Sequence, residues 1–343
     1  MQTRQLGALW PVSALALGGG GLGQLWGETS REEAVATARA AVDAGITLLD
    51  MAPGYGRGEA ERVIGEAFEG RVPAGVRVTT KCQLGSPPRA DIAALLETKL
   101  VRSLETMRVE RADIYFLHSN ICPDAYAYAR HADSQDLWAT RWTLYVEGVI
   151  PAMEALVARG LAGAWGITGT GLPRTVMEAL RHEARPAAVQ AVANLMDSAG
   201  DMRQYEEPPE PRNIIRTAVN NGVGVLGIRA VQAGALTSAL DRDLPADHPQ
   251  VADYAKAAPF RALCAQIGED PAVVAHRYAL GMDGVDSVIV GVKNRAELAQ
   301  LIAAEARGPL EEEIRRRIDA LRLAAQTPRI PVEQLVGLDG RTL

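Results

Sequence analysis

The sequence predicts an α/β fold, a single (β/α)8 barrel of the TIM type, on three observations. Short apolar runs alternate eight times with longer amphipathic segments, the rhythm of parallel strands covered by helices. No clear linker divides the 343 residues, a length that one barrel commonly fills. A doubly wound sheet would place a G-x-G-x-x-G turn after a strand with an acid about 20 residues further on. Here GGGGLG at 18–23 has the wrong spacing.

The elements follow in order. LAL at 15–17 reads as the first strand, followed by a Gly-rich loop and a helix over 31–44. TLLD (47–50), VRVTTK (76–81) and DIYFLH (113–118) are the next three strands. GAWGIT (163–168), AAVQAV (187–192), VGVLGI (223–228) and SVIV (287–290) complete eight. Helices are predicted over 58–68, through DIAALLETKLVRSLETM, from about Tyr145, and over 173–182, 212–221, 270–281 and 296–306. Four additions stand out: a hairpin in RQLGALWPVS, a long loop over 119–144, an insertion over 230–267, and an extra helix in EEEIRRRIDALRLA. Loops as long as 119–144 are usually functional. The whole chain, 1–343, is taken as one domain.

Composition narrows the function classes. Hydrophobic residues make up 48% and charged residues 23%, ordinary for a globular chain with a full core. Aromatics are only 5%, so Ala, Val, Leu and Ile must fill that core. A formal charge of −6 gives no basic field for nucleic acid. The N-terminal apolar run is too short and too Gly-broken for a membrane span. Cys82, Cys122 and Cys264 are widely spaced and odd in number, which suits reduced thiols in a cytoplasm.

Asp50, Lys81 and His118 each end a predicted strand, and in a barrel the strand C-termini form one mouth. Tyr55 lies five residues beyond Asp50, on the loop above it. A charge at the end of an apolar strand is costly unless paired, and Asp50 with Lys81 supplies opposite signs. A phenol with its usual pKa of ~10 is a poor acid at neutral pH. A nearby ammonium should lower that value and make Tyr55 a usable proton donor and acceptor. His118 can hydrogen-bond a substrate carbonyl oxygen. Each residue alone also fits a cap, a loop contact or a satisfied core histidine; the convergence of four argues for chemistry.

DMAPGYGRGEAERVIGEAF resembles the D-x-A-x-x-Y-G-x-G-x-S-E-x-x-[IL]-G signature of the aldo-keto reductase superfamily, with Ala60 at its Ser position. RVTTKC is similar to the strand carrying the family lysine, and ADIYFLHSN to the strand carrying its histidine. The resemblance runs from the RQLG hairpin to the helix after VGVKNRAEL. It implies an NAD(P)(H)-dependent oxidoreductase acting on a small aldehyde, ketone or sugar. Tyr55 would be the general acid/base, Lys81 and Asp50 its tuners, and His118 the carbonyl orienter.

The resemblance also implies a nicotinamide cofactor extended across the barrel mouth and no metal. VQAVAN (189–194) looks like the family's Q-x-x-x-N strand, putting Gln190 beneath the nicotinamide and Asn194 in the adjacent loop. GITG stands where the family has G-V-S-N, so Thr168 replaces the serine that contacts the carboxamide, and Gly169 cannot supply the asparagine contact. IVGVKNRAELAQLIAA resembles the adenosine-phosphate segment, with Gly291, Val292 and Lys293 near the adenosine and Gln300 at an adenine position. NADP(H) is modestly favoured by the family default and Lys293, while Glu297 opposes a 2′-phosphate and leaves NAD(H) open. GIRAVQAGALT fits the I-R-x-L-A-x-G-A-L variant, so Arg229 could meet the pyrophosphate. Gln190 as a backbone cap, Lys293 as a solvated helix-start charge and Arg229 paired with a local Asp are the alternatives open here.

The substrate pocket is expected from Trp26 above the first strand and from Tyr126, Trp138 and Trp142 in the long loop. An aromatic lid over polar groups suits a small carbonyl or sugar, although these rings could simply pack the loop down. Two other readings stand beside the reductase. A lyase or hydrolase barrel would need carboxylate pairs or metal ligands, and no His-His-carboxylate cluster ends the strands. A nucleotide-binding redox-sensing or scaffold subunit with little turnover would share this fold.

Overall fold

The computed structural model describes residues 1–129 and 131–324. The single-domain expectation over 1–343 therefore includes residues, 130 and 325–343, that lie outside the described ones. Eight parallel strands close into a barrel. In chain order they are β1 (Leu15–Gly18), β2 (Leu48–Asp50), β3 (Arg77–Cys82), β4 (Ala112–Leu117), β5 (Ala162–Thr168), β6 (Ala188–Val192), β7 (Gly224–Ile228) and β8 (Ser287–Val290). All eight lie where the apolar runs predicted them. The β8–β1 seam is closed by Val288, Ile289 and Val290 pairing with Leu15, Ala16 and Leu17.

The covering helices are α1 (Arg31–Asp43), α2 (Glu59–Phe68), α3 (Ile92–Met107), α4 (Ile150–Ala158), α5 (Pro173–Arg181), α6 (Pro211–Asn220), α7 (Pro271–Leu280) and α8 (Arg295–Ala306). Their starts are written locally. The Ser30 and Asn294 side chains accept from the amides of Glu33 and Glu297, and proline opens α5, α6 and α7. Proline suits the first turn because the N–H it lacks would have no intrahelical acceptor. Helical backbone before α4 begins earlier than expected, at Trp142, and passes through a π turn at Tyr145–Val149.

Two apolar layers hold the barrel. Inside, Leu6, Val12, Ala16, Leu48, Ile114, Phe116, Ala164, Ala188 and Leu226 pack together. Leu6 comes from the predicted N-terminal hairpin, Thr3–Gln5 with Pro11–Ser13, which plugs the lower end. Outside, a larger cluster lies between strands and helices.

The loop over 119–144 is folded. Asn120–Cys122 pairs in parallel with Ala139–Arg141. Cys122, Tyr128, Ala139, Leu172 and Tyr205 form a satellite core, with Tyr126 and Trp138 against it. The insertion after β7 carries two helices, Pro249–Lys256 and Ala258–Ile267. The expected C-terminal helix is Glu312–Ala320. No helix among the described residues is long and apolar enough to cross a membrane.

Candidate active site

The barrel mouth brings Asp50, Lys81 and Gln190 together. Asp50 ends β2 beside Thr79 of β3. Side chains alternate along a strand, so Thr79 and Lys81 share the inward face while Thr80 turns outward to the buried Glu61 of α2, at 2.6 Å. The Lys81 ammonium donates to Asp50 Oδ2 at 2.6 Å and to the Met51 carbonyl at 2.9 Å. Asp50 Oδ1 accepts from Thr79 Oγ1 at 2.7 Å and from Gln190 Nε2 at 2.6 Å. Thr79 was missed in the sequence, although its two-residue offset from Lys81 was there to be read.

Tyr55 sits over this pair, with Lys81 Nζ 4.9 Å from its ring centroid. The expectation that Lys81 brings the phenol below its usual pKa needs correction. Burial pushes the Tyr55 hydroxyl up, Lys81 pulls it down by charge and hydrogen bonding, Asp50 pushes it up, and the outcome lies above 10. Lys81 itself is discouraged from carrying charge by burial. Asp50 and Tyr55 outweigh that penalty and raise its pKa. The resting pair is therefore a neutral phenol over an ammonium.

His118 lies one residue past β4, its ring edge-on to Tyr55 at a centroid distance of 6.2 Å. Burial, helped by the Lys81 charge, lowers its pKa to about 3. The imidazole is thus neutral at physiological pH and can donate one hydrogen bond to a carbonyl oxygen.

The glycine run after β1, read in the sequence as a loop, is a helical turn at Gly19–Leu22. A Cβ on Gly21 would lie 2.0 Å from the Val292 carbonyl oxygen, and one on Gly23 would lie 2.7 Å from the Tyr55 carbonyl carbon. The run is glycine because the loops carrying Tyr55 and Val292 pass against its backbone.

The expected cofactor residues divide. Thr168 ends β5 beside Gln190, and its hydroxyl is buried without a hydrogen-bond partner. Buried polar atoms are nearly always paired, so this orphan fits a ligand amide at the mouth. Asn194 is spent on the protein. Its amide donates to the carbonyls of Ser198 and Arg229 at 3.0 and 3.1 Å, and its oxygen accepts from Met196 and Ser198 amides. Arg229 is held by Asp201 at 2.8 Å and Gln232 at 2.9 Å, so its local-Asp alternative is the arrangement observed. Gly291 and Val292 follow β8 directly. Lys293 is clasped by carboxylates, 2.8 Å from Asp241 and 3.2 Å from Glu297. Gln300 is exposed further along α8.

The expected substrate aromatics also divide. Trp26 lies between the β1 and β8 loops: a Cβ on Gly20 or Gly291 would come within 2.5 or 2.6 Å of its Nε1. The Arg242 guanidinium lies 5.0 Å from its ring centroid, so Trp26 stands at the end of the mouth expected for cofactor. Trp142 packs sideways on Tyr145 and His182, in the helical wall. Loop order in the sequence shows proximity to His118 but not direction, so the pocket expectation for Trp142 gives way to this packing. Trp138 packs on Tyr128 at 4.6 Å between centroids. Tyr126 is at the rim, donating to Glu207 at 2.8 Å and so tying the β4 loop to the β6 loop.

A profile of the Aldo/keto reductase family matches residues 14–323. The chain belongs to that family. As a member it is an NAD(P)(H)-dependent oxidoreductase. It is 25% identical over 296 residues to an L-galactose dehydrogenase of Arabidopsis thaliana, covering 85% of this chain and 84% of that one. It is likewise 25% identical over 316 residues to a D-threo-aldose 1-dehydrogenase of a Pseudomonas species, covering 84% and 88%. An aldo-keto reductase from Bacillus halodurans, solved in its holo form, superposes with a TM-score of 0.68 at 21% identity, covering 94% of this chain and 96% of that one. The glycerol dehydrogenase of Gluconobacter oxydans gives 0.67 at 21%, covering 96% and 98%. These two likenesses concern the fold. Among the described residues no cluster of His, Cys, Asp or Glu could hold a metal ion.

Proposed function

We propose that this aldo/keto reductase family member interconverts a small carbonyl compound, preferentially a sugar, and its alcohol or lactone counterpart, using Tyr55 as general acid/base. The observation that carries the reading is the neutral Tyr55 phenol above the sealed Asp50–Lys81 pair, edge-on to an uncharged His118. The sugar dehydrogenases among its relatives support the substrate class.

Thr168, with its orphaned hydroxyl, and Gln190, beside it on β6, fit the amide end of a nicotinamide. The loop from Gly291 to Lys293 would meet the adenosine end, and Arg229, with Nε on Gln232 and Nη2 on Asp201, would meet the pyrophosphate through its remaining N–H donors. When bound, the nicotinamide supplies or takes the hydride. The protein handles the proton and the oxygen. His118 donates a hydrogen bond to the carbonyl oxygen and fixes its direction. In reduction Tyr55 gives its proton to that oxygen as negative charge develops there, and Lys81 stabilises the phenolate left behind. Asp50 keeps Lys81 charged, and Thr79 and Gln190 keep Asp50 in place. In oxidation the phenolate takes the proton back.

The test is a panel of aldoses, aldehydes and ketones assayed through nicotinamide absorbance in both directions. Turnover of aldoses is the expected result. Cofactor binding without turnover of any member would overturn the reading in favour of a nucleotide-binding subunit.

A further inference from the structure

We infer that this chain discriminates in favour of NAD(H) against NADP(H), because its own carboxylates already occupy the anion-binding groups at the start of α8. The inference rests on the proposed placement of the cofactor's adenosine end beside Lys293, and it reverses the lean that the family default and Lys293 together suggested.

The amides of Lys293, Arg295 and Glu297 at the start of α8, and the Lys293 and Arg295 cations beside them, already have partners within the chain. The Lys293 amide donates to Glu297 Oε2 at 2.9 Å while the Lys293 ammonium lies 3.2 Å from Glu297 Oε1. Asp241 holds the same ammonium at 2.8 Å. The Arg295 amide donates to Glu33 at 2.9 Å, and the Arg295 guanidinium is taken by both oxygens of that carboxylate at 3.1 and 2.9 Å. The Glu297 amide donates to Asn294 Oδ1 at 2.9 Å. Helix N-termini attract anions through such free amides. Here the anions are supplied by the chain, with three carboxylates facing two cations.

Asp241 is held on station. Its neighbour Arg242 lies over the Trp26 ring at 5.0 Å, donates to the Leu25 carbonyl at 3.4 Å and to Gln250 at 3.1 Å. The insertion after β7 thereby reaches across to the β1 loop and presses a carboxylate onto Lys293.

A 2′-phosphate would bring a charge of about −1.5 to −2 and acceptor oxygens only, to a lysine already held by two carboxylates, where the free lone pairs belong to Asp241 and Glu297. It would have to displace both carboxylates or face them. A ribose 2′-hydroxyl has the opposite chemistry: it donates a hydrogen bond, and either carboxylate can accept it without giving up Lys293.

The experiment titrates the full chain with NADH, NADPH, NAD+ and NADP+, followed by tryptophan fluorescence and by calorimetry. NAD(H) should bind at least about tenfold more tightly than its phosphorylated counterpart, a difference of about 1.4 kcal/mol. Asp241→Asn with Glu297→Gln removes the opposing charges and keeps side-chain shape, and should narrow or invert that ratio chiefly by strengthening NADP(H) binding. Glu297→Gln alone should move it part of the way. Equal or tighter binding of NADPH by the unaltered chain overturns the inference and leaves the proposed function standing. Failure of all four to bind overturns both. A preference for NADH that the double variant retains, with far-ultraviolet dichroism unchanged, overturns the assignment to these carboxylates.

Discussion

Lys81 Nζ lies 2.6 Å from Asp50 Oδ2, with the two side chains 0% and 2% exposed. Removing one partner of such a pair leaves the other charge buried, which costs about 3–5 kcal/mol. Lys81→Met and Asp50→Asn should each lower stability in urea melts. Lys81→Met is the worse, because it removes the cationic donor to the Asp50 carboxylate outright, whereas in Asp50→Asn the Lys81 ammonium keeps an amide oxygen and the Met51 carbonyl as acceptors. The double variant should recover part of the loss, since the two changes share one interaction. Simple additivity of the two losses would show that the pair is not coupled as described.

Tyr55→Phe should remove turnover and spare cofactor binding. Only the hydroxyl is lost, and its proposed task is proton transfer, an effect worth ~10²–10⁴-fold. A fall in kcat/KM of less than about tenfold would reject Tyr55 as the general acid. In the oxidation direction, Lys81→Met should move the basic ionisation of the pH profile upward, because Lys81 is the group pulling the Tyr55 pKa down.

His118 should leave a mark on stability against pH. Its pKa falls from an ordinary 6.5 to about 3 in the folded chain through burial and the Lys81 charge. Between those values the unfolded chain takes up a proton that the folded chain refuses, so stability rises with pH across the window. The contribution is complete above 6.5 and is lost progressively as pH drops toward 3. His118→Asn should flatten the slope of unfolding free energy between roughly pH 5 and 6.5. Identical slopes for the two proteins would mean that His118 titrates normally.

The two loop tryptophans should behave differently from one another. Trp142 packs into the wall against Tyr145 and His182, so Trp142→Ala should cost about 3–5 kcal/mol if the site cannot collapse, with KM unchanged. Trp138 packs on Tyr128 in the satellite core next to the mouth. Trp138→Ala should loosen that loop and raise KM for substrate, with little change in cofactor affinity. Steady-state kinetics beside thermal melts separate the two. A raised KM for Trp142→Ala would return that residue to the pocket.

Much of the fold and the centre of the site were legible because they are local or periodic. Apolar runs alternating with amphipathic stretches marked all eight strands, and the barrel rule gathers the ends of β2, β3 and β4 into one place whatever the loops do. Asp50, Tyr55, Lys81 and His118 could be named from that rule and from their motifs.

What only tertiary structure decided are the partners that side chains choose across loops far apart in sequence. In sequence Lys293 suits either a cation for the adenosine end or a solvated helix-start charge, and the fold brings Asp241, 52 residues earlier, onto it. Arg229 could have faced a phosphate, but it meets Asp201, 28 residues away. The Tyr55 pKa depended on whether burial or Lys81 prevails, a balance of three-dimensional desolvation that no spacing encodes. Trp142 and Trp138, four positions apart, turn to different cores because the satellite strand Ala139–Arg141 lies between them and helical backbone starts at Trp142. Periodicity in a sequence specifies which face of an element is apolar. Which polar group meets which is fixed only once the packed barrel has set the distances and removed the water.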